Sequence, residues 1–128
     1  MVRSAWPDAR VLLGRDATVG ALLGAERPQA LHIASQGFVY PGRDEGHPLL
    51  RPVLALAGAR TAARTPEAAL GAAFLPALAL LGLDVDGTEL VVLSACSTSL
   101  GDLHPGEGVP GRAHALLTAG ARCVIVTL

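Results

Sequence analysis

Lysine is absent from this chain, and all ten of its basic residues are arginines. Alongside abundant Ala, Gly and Pro, that usage fits a GC-rich coding sequence better than a functional demand for arginine. Aromatic residues are scarce at 3%, so a core has to be assembled from Ala, Leu and Val. Charge is also sparse, at 16%, with eleven acidic residues against the ten arginines and a formal net charge of −1. No basic stripe or acidic tail interrupts the sequence, which argues against nucleic acid and anionic membrane as partners. The longest apolar stretch, Ala68 to Leu83, is broken by Gly71, Pro76 and Gly82 and falls short of the ~20 residues of a membrane span. Met1 to Asp8 lacks the apolar run of a signal peptide. Two cysteines, Cys96 and Cys123, make no disulfide framework, and no His/Cys spacing resembles a metal-ligand set. These absences predict a cytoplasmic protein with free thiols and no cofactor.

Hydrophobicity is what the chain has: 51% of its 128 residues, enough for one domain and no more. Arg10 to Gly14 reads as a brief buried strand. Thr18 is placed to cap a helix over Val19 to Glu26, stopped by Arg27-Pro28. Ala30 to Ser35 reads as a strand ending at Gln36-Gly37, and Tyr40 to Pro48 as a loop. Leu49 to Leu56 adds a strand, placed at an edge because of Pro52. A helix is expected from Thr65-Pro66-Glu67 towards Leu81, kinked or split at Pro76. Asp86-Gly87 is a turn, and Glu89 to Ser94 is the clearest strand in the chain. After a polar loop, Ser97 to Pro110, the segment His114 to Gly120 reads as helix and Ala121 to Leu128 as a last strand.

Strands that alternate with helices and are apolar on both faces predict an α/β fold with a mostly parallel sheet and right-handed crossovers. In such sheets sites form at the carboxyl ends of strands. Two strands turn polar there, at Ser35-Gln36-Gly37-Phe38 and at Ser94-Ala95-Cys96-Ser97-Thr98.

Those two segments carry a specific resemblance. Leu31-His32-Ile33-Ala34-Ser35-Gln36-Gly37-Phe38 is similar to the strand of the CHAT family that ordinarily ends in His-Gly. Gly87 to Asp102, with Ser94-Ala95-Cys96-Ser97-Thr98 at its centre, resembles that family's cysteine strand and loop. Gly106-Glu107-Gly108-Val109-Pro110-Gly111 and Ala119-Gly120-Ala121-Arg122 resemble its next helix and following strand. Gly14 to Thr18 and Pro48 to Gly58 match upstream, so the resemblance runs in order from about Val11 to Leu128.

CHAT domains are caspase-like cysteine peptidases, related to caspases and separases, in which a Cys–His dyad on a parallel sheet cleaves peptide bonds through a thioester. The resemblance implies a caspase-like, three-layer α/β/α domain that is incomplete, a single partial domain over residues 1–128. It implies that Cys96 is the nucleophile position, that Gln36 stands where the dyad histidine belongs, and that Gly37 and Cys96 supply oxyanion-hole N–H groups. Such donors are worth roughly 2.7–4 kcal/mol each. Asp102 and Glu107, with Asp44, are candidates for an acidic pocket taking a basic substrate residue, although acidic loop residues are more often simply solvated. A second departure is Ser99, where the family has glycine.

A glutamine amide neither accepts the thiol proton nor donates one to the leaving amine, and losing general acid–base help costs ~10²–10⁴-fold in rate. The expected function is therefore a catalytically impaired, peptide- or partner-binding module, the partner being a peptide, a protein or a fused helical-repeat domain. The alternative is a slow or conditional cysteine peptidase that uses Cys96 with another base; a gene remnant is a third reading. His32 lies ~13 Å along its strand from Gln36 and reads as a core histidine. His104 sits in the loop after Cys96, within reach of it along the chain, but nothing in the sequence positions it there, and His47 and His114 fall in a loop and at a helix start. Cys96 itself also fits a plain core residue, as does Cys123. The glycine-rich run Gly101 to Gly111 lacks a following lysine and carries Asp102 and Glu107, which argues against a phosphate cradle.

Overall fold

The computed structural model describes residues 2–39, 48–50, 52–62, 64, 70–97 and 109–127. Its centre is a five-stranded sheet in the order β3-β2-β1-β4-β5. The strands are β1 (Ala30–Val39), β2 (Pro52–Ala55), β3 (Phe74–Pro76), β4 (Leu90–Ser97) and β5 (Val124–Thr127). The helices are α1 (Val2–Ala5), α2 (Val19–Leu23), α3 (Ala59–Ala62) and α4 (Val109–Thr118), with 3-10 segments at Gly14–Asp16, Pro48–Leu50 and Ala77–Gly82.

The sheet is mixed. Strands β1, β4 and β5 are parallel, joined by the β4-α4-β5 crossover, whereas β2 and β3 add an antiparallel pair on the other flank. The parallel half follows from the Val/Ile/Leu content of β1, β4 and β5. The fold is thus α/β with a mixed sheet flanked by helices, compatible with part of a caspase-like domain.

One core covers one face. Ile33 of β1, Leu54 of β2, Leu75 of β3 and Val91, Leu93 and Ala95 of β4 pack with Leu80, Leu83, Val85, Ala115 and Leu116. On the other face a smaller cluster of Val53 and Phe74, with Phe38, Ala55, Ala59, Ala62 and Leu70, lies under α3 at the antiparallel end.

Local chemistry sets several boundaries. Thr18 caps α2 as its type predicts, its Oγ1 accepting from the Ala21 N–H at 3.0 Å. The helix ends at Leu23 rather than Glu26, with Gly24 as its C-cap. The Asp86-Gly87 turn forms as expected, Gly87 taking φ +77° and the Thr88 N–H donating to the Val85 carbonyl at 2.9 Å. Gly120 closes the turn after α4 at φ +109°, where an added Cβ would stand 2.8 Å from Asp86 Cα.

Four expectations are corrected. Residues 10–13 form no strand, and Leu13 is 73% exposed; the run is too short and has no neighbouring strand among the described residues. Pro52 is not on an edge strand, since β2 lies between β3 and β1; proline is tolerated there as the strand's first residue. The helix expected towards Leu81 is absent over 70–82, where β3 and the 3-10 segment Ala77–Gly82 stand instead. Gly71 at φ +82° and Pro76, which lacks an N–H, cannot sustain an α-helical ladder, and residues 65–69 lie outside the described residues. The last helix starts at Val109, five residues before His114.

Candidate functional site

Along β1, exposure alternates with the two-residue period of a strand. Ala30, His32, Ala34 and Gln36 are exposed on one face, while Ile33 and Gly37 are buried on the other. Strand β4 runs parallel to β1 in a register that sets the Cα of Cys96 opposite that of Gln36, and Ser97 opposite Gly37. Two positions separated by sixty residues in sequence thus become lateral neighbours at the carboxyl edge of the parallel half. Parallel neighbours stand about 4.8 Å apart.

Neither position lies where the chain was expected to leave the sheet. Gln36 and Gly37 are inside β1 rather than at its end, because β2 pairs antiparallel with residues 36–39 and prolongs the strand to Val39. Cys96 is the penultimate residue of β4 rather than a residue beyond it. Gly37 has Leu54 on one side and Ser97 on the other, so its N–H faces a paired strand in either direction. The Ser35 hydroxyl donates to the Ala55 carbonyl, tying β1 to β2 one residue before Gln36. Phe38 meets Phe74 edge-to-face, with ring centroids 5.3 Å apart, and forms an apolar wall on the same face as Gln36.

The histidines distribute differently from expectation. His32 is no core residue: it is exposed on the open face, and its Nε2 lies 3.3 Å from Ser94 Oγ. One same-face row, Ala34–Ser94, separates it from the Gln36–Cys96 row, and its ring reaches diagonally across to Ser94, two residues before Cys96 on β4. His114 is exposed on α4, across the sheet from Gln36, because α4 turns Arg112, Ala115 and Leu116 inward. Cys123 is also not core. It precedes β5, is exposed and is free. Arg60 is a surface charge. Asp44, His47, Arg51, Ser99, Asp102, His104 and Glu107 lie outside the described residues.

The sequence reading passed over one residue, Arg112. It sits in the first turns of α4 with 0% exposure. Burial pushes its guanidinium below its usual pKa, since desolvation penalises the charged form. The available signal was its spacing: Arg112 stands four residues before Leu116, on the helical stripe that faces the core. Starting the helix at His114 hid that stripe.

Among the described residues no group of His, Cys, Asp and Glu is placed to hold a metal ion. No helix among them is long and apolar enough to cross a membrane. Side by side on parallel strands, a cysteine position and a glutamine offer a thiol and an amide that hydrogen-bonds but does not titrate. Comparison with the curated proteins and with the solved structures found no match. The family model of the CHAT domain, however, matches residues 1–128. Its caspase-like, peptidase-related architecture agrees with the sheet, and the chain belongs to the CHAT-domain family.

Proposed function

We propose that this chain is a non-catalytic, peptidase-like module that binds a peptide or a partner domain, such as a helical-repeat domain, at the carboxyl edge of its parallel strands. The observation that carries the reading is the register of Gln36 against Cys96. A dyad needs a titratable base beside the thiol, and the residue beside this cysteine is an amide. An unassisted thiol near pKa ~8.5 is only a few per cent thiolate at neutral pH. Protonation of the leaving amine also lacks a donor at that position, and amide cleavage depends on that step more than ester cleavage does. Of the described histidines, His32 stands one same-face row short of the Gln36–Cys96 row and hydrogen-bonds Ser94, and His114 lies on the opposite face, so neither occupies the position beside Cys96. What remains at the edge is a polar, hydrogen-bonding glutamine beside the Phe38–Phe74 wall, a surface suited to holding an extended peptide without cutting it.

The test is the alkylation rate of Cys96 against pH, followed by mass spectrometry, with exposed Cys123 as internal control. The native chain should alkylate at Cys96 as an ordinary thiol, and Gln36→His should shift that reactivity to lower pH. Strong Cys96 reactivity below neutral pH in the native chain would reveal another base and overturn the reading.

A further inference from the structure

Arg112 is fully buried, and among the described residues its Nε and both terminal nitrogens have no hydrogen-bond partner. An arginine does not escape this by losing its proton, since even with its pKa lowered by burial the guanidinium stays charged in proteins. A charge held in an apolar interior without acceptors is among the most unfavourable arrangements a fold can contain. Its neighbours on the inward stripe of α4, Ala115 and Leu116, offer no acceptor.

Position in the fold narrows what would satisfy it. Helix α4 follows β4 and precedes the parallel β5, so it runs against the strands and its first turns lie at their carboxyl edge. The unpaired amide N–H groups of a helix start add positive potential there, and no acidic residue occupies that first turn. The described carboxylates that flank the sheet, Glu26, Asp84, Asp86 and Glu89, lead into the amino ends of β1 and β4, at the far end of α4. Arg27 already draws on two of them, through Asp84 at 3.1 Å and Asp86 at 3.9 Å.

We propose that Arg112 is the anchor of a carboxylate-binding seat beneath the carboxyl edge of the sheet, on the face opposite Gln36. Its planar fork of donors matches a planar carboxylate in bidentate fashion. One negative charge balances one guanidinium, whereas a phosphate dianion would leave excess charge in a buried setting. The seat does not depend on whether Cys96 is active. Its carboxylate comes from a molecule or peptide that binds there.

The experiment is to measure solvent exchange and chemical shift of the Arg112 Nε–Hε proton by NMR on the full chain. It would be run alone, with acetate against matched chloride, and in the double variant Asp102→Asn, Glu107→Gln. Slow exchange that appears only with acetate, by about tenfold or more as a charge-assisted hydrogen bond supplies, supports an external carboxylate. Slow exchange in the protein alone that the double variant abolishes would overturn it, because the guanidinium is then satisfied from within the chain. Arg112→Met should remove any acetate dependence of the thermal midpoint. Exchange that is fast throughout would overturn the proposal, because the guanidinium is then in water. Slow exchange indifferent to both acetate and the double variant would overturn it too.

Discussion

The two faces of the parallel half carry the same strands and opposite chemistry. On one, Val91, Leu93 and Ala95 are sealed beneath the 3-10 segment Ala77–Gly82 and α4. On the other, one residue along each strand, His32, Gln36 and Thr127 are exposed and Ile125 stands 48% exposed. Stability resides in the first face, and the residues with chemistry to offer sit on the second. The division follows from the two-residue period of a strand, which lets adjacent positions answer to unrelated demands.

Three substitutions would sharpen or break that contrast. The largest effect is expected at Leu93→Ala, which empties a fully buried position in β4. It should destabilise the chain by about 2–5 kcal/mol, read as a lower urea midpoint at unchanged slope. A smaller loss, about 1–3 kcal/mol, is expected for Gly120→Ala. There the residue holds φ +109° and the new Cβ meets the Asp86 backbone. A loss near zero would mean that the α4–β5 turn relaxes freely. The smallest effect should come from Ile125→Ser on the open face, within about 0.5 kcal/mol of the native chain. If Ile125→Ser costs as much as Leu93→Ala, the second face is covered in solution and the contrast fails.

Much of the fold was legible because its signals are local. The Leu90–Leu93 run, the Thr18 cap and the Asp86-Gly87 turn each depend on a few adjacent residues, and each appears where its residue types place it. Other elements were misread because pairing overrides composition. The length of β1 depends on β2, a neighbour that sequence does not announce, so Gln36 and Gly37 looked like a strand end. Pro52 looked like an edge marker, yet it opens an interior strand, since only its position within the strand decides whether the missing N–H matters. His32 and Cys123 sit in apolar runs and looked like core, but a strand in an apolar run still has two faces, and here only one is sealed.

The candidate site divides in the same way. Its residue types were readable, because a glutamine at position 36 and a cysteine at position 96 are chemical facts of the chain. That Gln36 and Cys96 share a row was not, because register is a relation between strands rather than a property of either. The orphaned state of Arg112 belongs to this second kind, and no count of arginines would separate it from the exposed Arg60.

By itself, then, the sequence determined that the chain builds an α/β core from small and branched aliphatics, and that residue 36 is an amide that does not titrate. Both are properties of side chains, unchanged by where the chain goes. Tertiary structure alone decided which face of the sheet is covered, which positions become neighbours, and that one guanidinium is enclosed without an acceptor. Burial and register arise only when segments distant in sequence pack together.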